Sequence, residues 1–129
     1  MVCHADIQAY LIAVKSLYSF LGFGGITIIN DGSLTESDKK IINSHIPSVD
    51  MIDIREIKVG KCPKGGCWER LILISELNRQ SYVMQLDSDT IAVGDIDEVK
   101  KCIQQNLSFT LGEWPGQEIQ SVEEARKNV

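Results

Sequence analysis

Residues 82–90 have the sequence YVMQLDSDT, in which the apolar run Tyr82 to Leu86 leads directly into an acidic triplet. An apolar run of this length, bounded by polar residues, is typical of a buried strand in a parallel sheet. The triplet, Asp87-Ser88-Asp89, then follows the carboxyl end of that strand. Because ligands of open α/β sheets bind beyond the carboxyl ends of the strands, we expect a binding site here.

Alternating strand and helix patterns fill the chain before this stretch. Apolar residues recur at helical spacing from Asp6, and a β-branched strand pattern occupies residues 25–30. Ser33 and Glu36 have the spacing of a capping box, which predicts a second helix that ends near Pro47. The other predicted elements are a strand at residues 1–4, a strand at 49–54, a loop at 58–66 and a buried helix, apolar on nearly all sides, at 67–77.

The predicted fold class is α/β. The order β-α-β-α-β-α-β up to the triplet favours a mostly parallel sheet with helices on both faces, and a helix at 96–103 and a strand at 107–111 are predicted to follow. A chain of 129 residues, 43% of them hydrophobic, is long enough for one compact domain and too short for two. We therefore expect a single domain over residues 1–129, in which residues 112–129 form a poorly packed tail.

Composition and charge exclude several classes of function. The formal net charge is -5, and no run of Lys or Arg is dense enough to follow a phosphate backbone, so nucleic acid is not an expected partner. The apolar stretch at residues 7–23 is interrupted by Lys15, which favours a buried helix over a transmembrane segment. Four cysteines without a signal peptide indicate unpaired thiols in a reducing compartment, so we expect the protein in the cytoplasm.

Asp87 and Asp89 carry the strongest chemical signal. Alternate residues at a strand end can direct both carboxylates to one point, and such oxygens suit Mg²⁺ or Mn²⁺, which would take its other ligands from water and phosphate. The plainer interpretation is a turn in which both aspartates are solvated. Two other motifs fit less well, because a haloacid-type phosphatase requires Thr or Val where Ile91 stands and an EF-hand loop requires glycine where Ala92 stands.

Further polar residues lie at or near the predicted strand ends. A nucleotide bound there is expected to contact Asp6, Asp31, Ser33 and Ser88. Asp6, Asp31 and Ser33 also have an ordinary structural interpretation, as a helix N-cap or as part of a strand-to-helix turn. Arg70 lies on the predicted buried helix, where a guanidinium requires an acidic partner from the triplet or a phosphate.

Three segments together are more specific than the triplet alone. They are YLIAVKSL at residues 10–17, ERLIL at 69–73 and QLDSDTIAVGDI at 85–96. Their combination resembles the GT-A class of glycosyltransferases, and most closely the retaining family 8 enzymes, over most of the chain up to about Val99. The resemblance implies the Rossmann-like fold of nucleotide-diphospho-sugar transferases.

The same resemblance implies a role for each candidate residue. Asp89 would bind Mn²⁺ or Mg²⁺ directly, and Asp87 would contact the ribose or reach the metal through water. Asp6 matches the position that contacts uracil, and Asp31 lies near the nucleotide. Arg70 matches the catalytic arginine near the donor diphosphate and sugar. The implied reaction is the transfer of a sugar from a nucleoside-diphosphate sugar, a UDP-sugar, to the hydroxyl of an unknown acceptor.

The chain also departs from the family pattern. Family 8 enzymes continue with an acceptor-binding region and a His-x-x-Gly-x-x-Lys-Pro-Trp-like segment whose histidine completes the metal shell, and no match follows Phe109. We therefore expect a donor-binding domain that is incomplete at the carboxyl terminus.

Two alternatives remain. Within the GT-A class, the run Asn30 to Ser33 resembles the Asp-Asp-Gly-Ser of inverting family 2 enzymes. Outside it, the alternative is a non-catalytic nucleotide-binding or assembly domain that forms homo-oligomers through an exposed sheet edge.

Overall fold

The computed structural model describes residues 1–65, 67–110 and 122–127 of the chain. In the core, helix α1 (Ile7–Leu21) precedes strand β1 (Thr27–Asn30), and helix α2 (Glu36–His45) precedes strand β2 (Asp50–Asp53). The remaining elements are short 3-10 helices at His4–Asp6 and Ile54–Glu56, and helices α3 (Trp68–Leu77), α4 (Asp97–Gln104) and α5 (Val122–Lys127). No helix in these ranges has the length and apolar character needed to cross a membrane.

β1 and β2 form a two-stranded parallel sheet in which Thr27 stands opposite Asp50. Val2 pairs in parallel with the other edge of β1. Its N–H donates to the Ile29 carbonyl at 2.8 Å, and its carbonyl accepts from the Asp31 N–H at 3.2 Å. The spatial order is therefore Val2, β1, β2, which places the residues that follow Val2 beside the residues that follow β1.

The hydrophobic core lies between α1, α2 and the sheet. Its α1 members recur every three or four positions, so they share one face of the helix. Ile42 of α2 is 0% exposed and Ile28 of β1 is 1% exposed. Burial in this core raises the pKa of Tyr10 to about 12, because a low-polarity environment disfavours the phenolate. The cluster consists of Val2, Ile7, Tyr10, Leu11, Val14, Ile28, Leu34, Ile42 and Ile46.

Both core helices have defined ends. α1 ends at Gly22, whose φ of 75° is left-handed and whose N–H donates to a carbonyl of the last turn at 2.8 Å. α2 begins with a capping box in which the Asp38 N–H donates to the Thr35 hydroxyl at 3.2 Å and the Thr35 N–H donates to the Asp38 carboxylate at 2.7 Å. The predicted capping box of Ser33 and Glu36 is therefore wrong by two residues. The Ser33 hydroxyl does not cap the helix because it accepts from the His4 N–H and donates to Asp31.

The predicted strand at residues 82–86 is wrong. This segment is irregular and half-buried apart from the exposed Gln85, and Leu86 packs against the core cluster. An apolar run predicts burial, but a strand also needs a neighbouring backbone edge to receive its hydrogen bonds. The edge that Val2 adds to β1 is a single bridge, so the run is partly buried without being paired.

Two other predicted strands are reduced in the structure. The one at residues 1–4 is the single Val2 bridge, and residues 107–110 form no strand. Leu111, which ends that prediction, lies outside the described residues, as does the predicted tail at 112–129 except for α5. The described chain is therefore α/β with a two-stranded parallel sheet, smaller than the mostly parallel sheet that the sequence predicts.

Helix α3 is less buried than its sequence predicts. Leu73 and Glu69 are buried, whereas Trp68 is 44% exposed and Leu71 is 52% exposed. With an irregular segment instead of a strand beside it, α3 packs through one face only. The prediction that it is buried on nearly all sides is wrong.

Candidate functional site

The loop between β1 and α2 is shaped by the side chain of Asn30. Asn30 is 7% exposed, and its Oδ1 accepts hydrogen bonds from the Gly32 N–H at 2.9 Å and the Leu34 N–H at 3.3 Å. Gly32 has a φ of 97°, a conformation that favours glycine. This turn holds Asp31 and Ser33 at the carboxyl end of β1.

Ser33 joins this loop to the segment that follows Val2. The Ser33 hydroxyl accepts from the His4 N–H at 2.8 Å and donates to Asp31 Oδ1 at 2.6 Å. The Ser33 N–H donates to the same carboxylate oxygen at 2.9 Å. Asp31 is thereby oriented through Oδ1, and its Oδ2 has no hydrogen bond within the described part of the chain.

Asp6 lies at the end of the same segment, directly before α1. It is exposed, and its carboxylate accepts a hydrogen bond from the Cys3 thiol at 3.1 Å. Although Asp6 occupies the N-cap position of α1, its side chain makes no capping hydrogen bond. The structure therefore does not use this carboxylate as a helix cap, and it is accessible to a ligand.

His4 and Asp38 form a hydrogen-bonded pair that the sequence patterns did not predict. His4 Nδ1 lies 2.7 Å from Asp38 Oδ2, and the Asp38 side chain is 7% exposed, against 64% for His4. Hydrogen bonds from the hydroxyl and N–H of Thr35, followed by the contact with His4, lower the pKa of Asp38 to about 2. The available signal was the spacing of Thr35 and Asp38, which is that of a capping box and directs the acid inward.

Arg70 on α3 lies beside Asp87 of the triplet. Arg70 Nη1 is 3.5 Å from Asp87 Oδ1, which also accepts from Gln85 Nε2 at 3.1 Å. The Arg70 side chain is 26% exposed, and its Nε is buried with no hydrogen-bond partner within the described residues. Since the contact with Asp87 is long, the guanidinium retains capacity to bind an anion.

Ser88 and Asp89, the other two residues of the triplet, make fewer side-chain contacts than Asp87. Asp89 is exposed and Ser88 is half-buried, and neither side chain makes a hydrogen bond to the described part of the protein. Thr90 closes the turn, because its hydroxyl donates to the Asp87 carbonyl at 2.8 Å. The two acids thus differ, with Asp87 held by neighbouring side chains and Asp89 accessible to solvent.

The amino group of Met1 has a lowered pKa. Burial lowers the pKa of this group, Arg70 lowers it further, and Asp87 and Asp31 raise it. The direct contacts join Arg70 to Asp87 and Asp31 to Ser33, and no hydrogen bond within the described residues joins one pair to the other.

The candidate metal ligands are the two carboxylates of Asp87 and Asp89. Within residues 1–65, 67–110 and 122–127, no group of three or more His, Cys, Asp or Glu side chains is arranged to hold a metal ion. A pair of carboxylates suits a Mg²⁺ or Mn²⁺ ion that takes its remaining ligands from water and phosphate. Asp87 and Asp89 carry oxygen ligands of the kind that such an ion binds, and Asp87 Oδ1 is already in contact with Gln85 and Arg70.

A cleft of about 620 Å³ opens beside Arg70. It is lined by α1, β1, α3 and residues 82–86, and its walls include the apolar side chains of Tyr10, Leu73 and Leu86. This volume lies within the range of small-molecule sites. Arg70 is the one candidate residue among the described residues that line this cleft, and the lining does not include Asp6, Asp31, Ser33 or the acidic triplet.

No protein-family model, no curated protein and no solved structure matches this chain. The assignment of function therefore rests on the geometry of the site. Its elements are the contact of Arg70 with Asp87, the exposed carboxylate of Asp89 and the link between Asp31 and Ser33.

Replacement of Asp38 by Asn tests how the pair with His4 stabilises this end of the sheet. The pKa of Asp38 in the folded chain, about 2, lies below the ordinary value of about 3.9. Its carboxylate therefore stabilises the fold above about pH 4, and this contribution is lost as the pH falls toward about 2. We expect Asp38→Asn to lower the Tm near pH 7, and the difference from wild type to shrink below about pH 4 in melts followed by circular dichroism.

Glu36→Gln is the matched control, because Glu36 lies in the first turn of the same helix with a side chain that is 82% exposed. Its partner is Lys39 at 2.7 Å, and exposed pairs of this kind contribute little to stability. A difference between wild type and Asp38→Asn that stays constant down to about pH 2 would contradict the assignment of an ionised Asp38 that is stabilised by Thr35 and His4.

Proposed function

We propose that this chain is the donor-binding domain of a metal-dependent glycosyltransferase of the GT-A class, similar to the retaining family 8 enzymes. Its donor is a nucleoside-diphosphate sugar with uridine as the nucleoside, and its acceptor is a hydroxyl group. The observation that carries the proposal is the contact of Arg70 with Asp87, the first acid of the triplet. An arginine beside an acidic triplet suits a diphosphate that is bound through a divalent ion.

The charge of the site explains the need for a metal. Asp31, Asp87 and Asp89 are acidic, the chain as a whole has a net charge of -5, and Arg70 supplies one positive charge. A diphosphate is itself an anion, so these carboxylates would repel it in the absence of a cation. Mn²⁺ or Mg²⁺ held by Asp87 and Asp89 supplies the charge that stabilises the diphosphate as the leaving group.

Arg70 has two features that suit a departing diphosphate. Its buried Nε lacks a partner in the described chain, its Nη1 makes the 3.5 Å contact with Asp87, and its Nη2 donates to Cys67 Sγ at 3.4 Å. A phosphate oxygen would complete the hydrogen bonding of this guanidinium, and such charge-assisted bonds are strong. As negative charge grows on the diphosphate during sugar transfer, the interaction strengthens and stabilises the transition state more than the bound substrate.

The acids of the neighbouring loops suit the nucleoside. Ser33 donates both of its hydrogen bonds to Asp31 Oδ1, which leaves Oδ2 to accept from a ribose hydroxyl or a base N–H. Asp6 offers a second acceptor, since its carboxylate does not cap α1. Ser88, between the two acids of the triplet, can donate to a ribose or phosphate oxygen.

The proposal extends to a reducing compartment. All four cysteines, at positions 3, 62, 67 and 102, are unpaired in the structure. Disulfides form and persist in oxidising compartments, whereas unpaired thiols are usual in the cytoplasm. A cytoplasmic location is therefore part of the proposal.

Exposed apolar side chains favour a second candidate, a non-catalytic domain that binds a nucleotide or assembles with a partner. Directly after the triplet, Ile91 is 61% exposed and Val93 is 84% exposed, and Leu71 on α3 is 52% exposed. Contiguous apolar patches on a surface mark interaction sites, and Ile91 and Val93 are close to each other in sequence. A homo-oligomer formed through the sheet edge belongs to this candidate.

Within the enzyme class, an inverting family 2 mechanism is the alternative to the retaining family 8 mechanism, and the anomeric configuration of the product separates the two.

Metal-dependent stabilisation by UDP is the first test of the proposal. UDP together with Mn²⁺ should raise the Tm of the wild-type chain, because a ligand at 100 times its Kd adds about 2.7 kcal/mol to the free energy of unfolding. UDP alone and Mn²⁺ alone should have much smaller effects. Asp89→Asn should abolish the combined effect, since the amide lacks the charge that holds the metal. Differential scanning fluorimetry measures these shifts.

The matched control is Asp97→Asn, which removes one acidic charge outside the triplet. Asp97 is 78% exposed and pairs with Lys100 at 3.5 Å. We expect this variant to show the same UDP and Mn²⁺ effect as wild type. Absence of a metal-dependent shift at millimolar UDP, or equal shifts in Asp89→Asn and Asp97→Asn, would favour the assembly domain.

Replacement of Arg70 by Lys tests the contact with the diphosphate. Lysine keeps the positive charge but lacks the planar fork of donors that fits phosphate oxygens. We expect the affinity for UDP with Mn²⁺ to fall about tenfold, equivalent to about 1.4 kcal/mol. Affinity for uridine, which has no phosphate, should stay the same.

Isothermal titration calorimetry measures the affinities for UDP with Mn²⁺ and for uridine. Arg79→Lys is the control because Arg79 is exposed just after α3. An equal loss of uridine binding would show that Arg70 supports the fold of the site instead of the diphosphate.

A further inference from the structure

The segment after the acidic triplet is fixed to helix α1 by one long-range hydrogen bond. The Ala92 N–H donates to the Ser16 hydroxyl oxygen at 3.0 Å, across 76 positions of sequence. Ile91 and Val93, on either side of Ala92, are 61% and 84% exposed. Within the described residues, the bond to Ser16 is the long-range hydrogen bond that holds the backbone at Ala92.

Ser16 is itself held in place by the helix. Its hydroxyl donates to the Ala13 carbonyl one turn earlier at 2.9 Å, and Ala13 is 1% exposed. Donation to a rigid, buried turn orients the serine oxygen and leaves a lone pair for the Ala92 N–H. The hydroxyl is therefore a preorganised acceptor on the part of α1 that packs in the core.

The anchor at Ala92 restricts where the triplet can lie. Asp89 is three residues before Ala92, so even a fully extended chain could place it no more than about 11 Å away. Thr90, between the two, donates to the Asp87 carbonyl at 2.8 Å and closes the turn. Asp87 is held by Arg70 and Gln85, whereas the exposed Asp89 depends on the backbone for its position.

We infer that Ser16 is a positioning residue that sets the place of Asp89 through the Ala92 N–H and so tunes binding of a divalent metal with a nucleoside diphosphate. The inference rests on the proposed function. Ser16 itself touches neither ligand. Its contribution is to reduce the conformational freedom of the turn before the ligand binds, which strengthens binding without a new contact.

The test compares two serines of the same helix. Ser16→Ala removes the acceptor for Ala92, whereas Ser19→Ala removes a hydroxyl that donates only to the Ser16 carbonyl, at 2.7 Å. Ser16→Thr keeps a hydroxyl at the same place. Calorimetry with Mn²⁺ and UDP gives the Kd, thermal melts without ligand give the stability, and amide exchange by NMR reports on the Ala92 N–H.

We expect Ser16→Ala to weaken binding of UDP with Mn²⁺ about threefold to tenfold and to speed exchange of the Ala92 amide. Ser19→Ala should change neither quantity, and Ser16→Thr should restore both. Binding of uridine without metal should be unaffected by Ser16→Ala, since the triplet is not needed for it.

Two outcomes would overturn the inference, and they are distinguishable. Equal Kd values for wild type and Ser16→Ala, with or without a loss of stability, would show that the hydroxyl holds the segment without setting the metal site. Absence of metal-dependent UDP binding by the wild-type chain would overturn the proposed function, and the inference with it.

Discussion

The parallel pairing of Val2 with β1 is the interaction on which the site depends. Two backbone hydrogen bonds, from the Val2 N–H to Ile29 and from the Asp31 N–H to Val2, align the first residues with the strand. Because both segments run in the same direction, the loops that follow them meet at one end. The His4 N–H therefore reaches the Ser33 hydroxyl, which also donates to Asp31. Without this alignment, the segment that holds Asp6 would not be joined to the loop that holds Asp31.

Hydrogen bonding at this end of the sheet is incomplete within the described protein. Asp38 accepts through Oδ2 from Thr35 and lies in contact with His4 there, Asp31 accepts through Oδ1 from Ser33, and the buried Nε of Arg70 has no partner. A buried donor without a partner costs free energy that a bound anion recovers. We propose that a diphosphate fills such a position at Arg70 and that a nucleoside fills one at Asp31.

Local patterns predicted the elements whose formation depends on neighbouring residues in sequence. The spacing of Ile7, Tyr10 and Val14 predicted α1, and the β-branched run predicted β1. The strand predicted at residues 82–86 is wrong because a strand requires the edge of a neighbouring strand. The sequence of the segment itself does not show whether such an edge is available. Some contacts of the site were predicted from the sequence, and others were not. Arg70 was predicted to need an acidic partner, since burial of a guanidinium demands one, and the structure supplies Asp87. Links that join distant segments, from His4 to Asp38 and from Ser16 to Ala92, had no recognised local signal.

Anomalous diffraction from crystals grown with Mn²⁺ and UDP tests most directly whether Asp87 and Asp89 hold a metal against a diphosphate. A glycosyltransferase donor site predicts one manganese peak between these two carboxylates, with a diphosphate oxygen as a further ligand and the same diphosphate in contact with Arg70. Manganese bound elsewhere, or the two carboxylates facing different surroundings with no density between them, would contradict it.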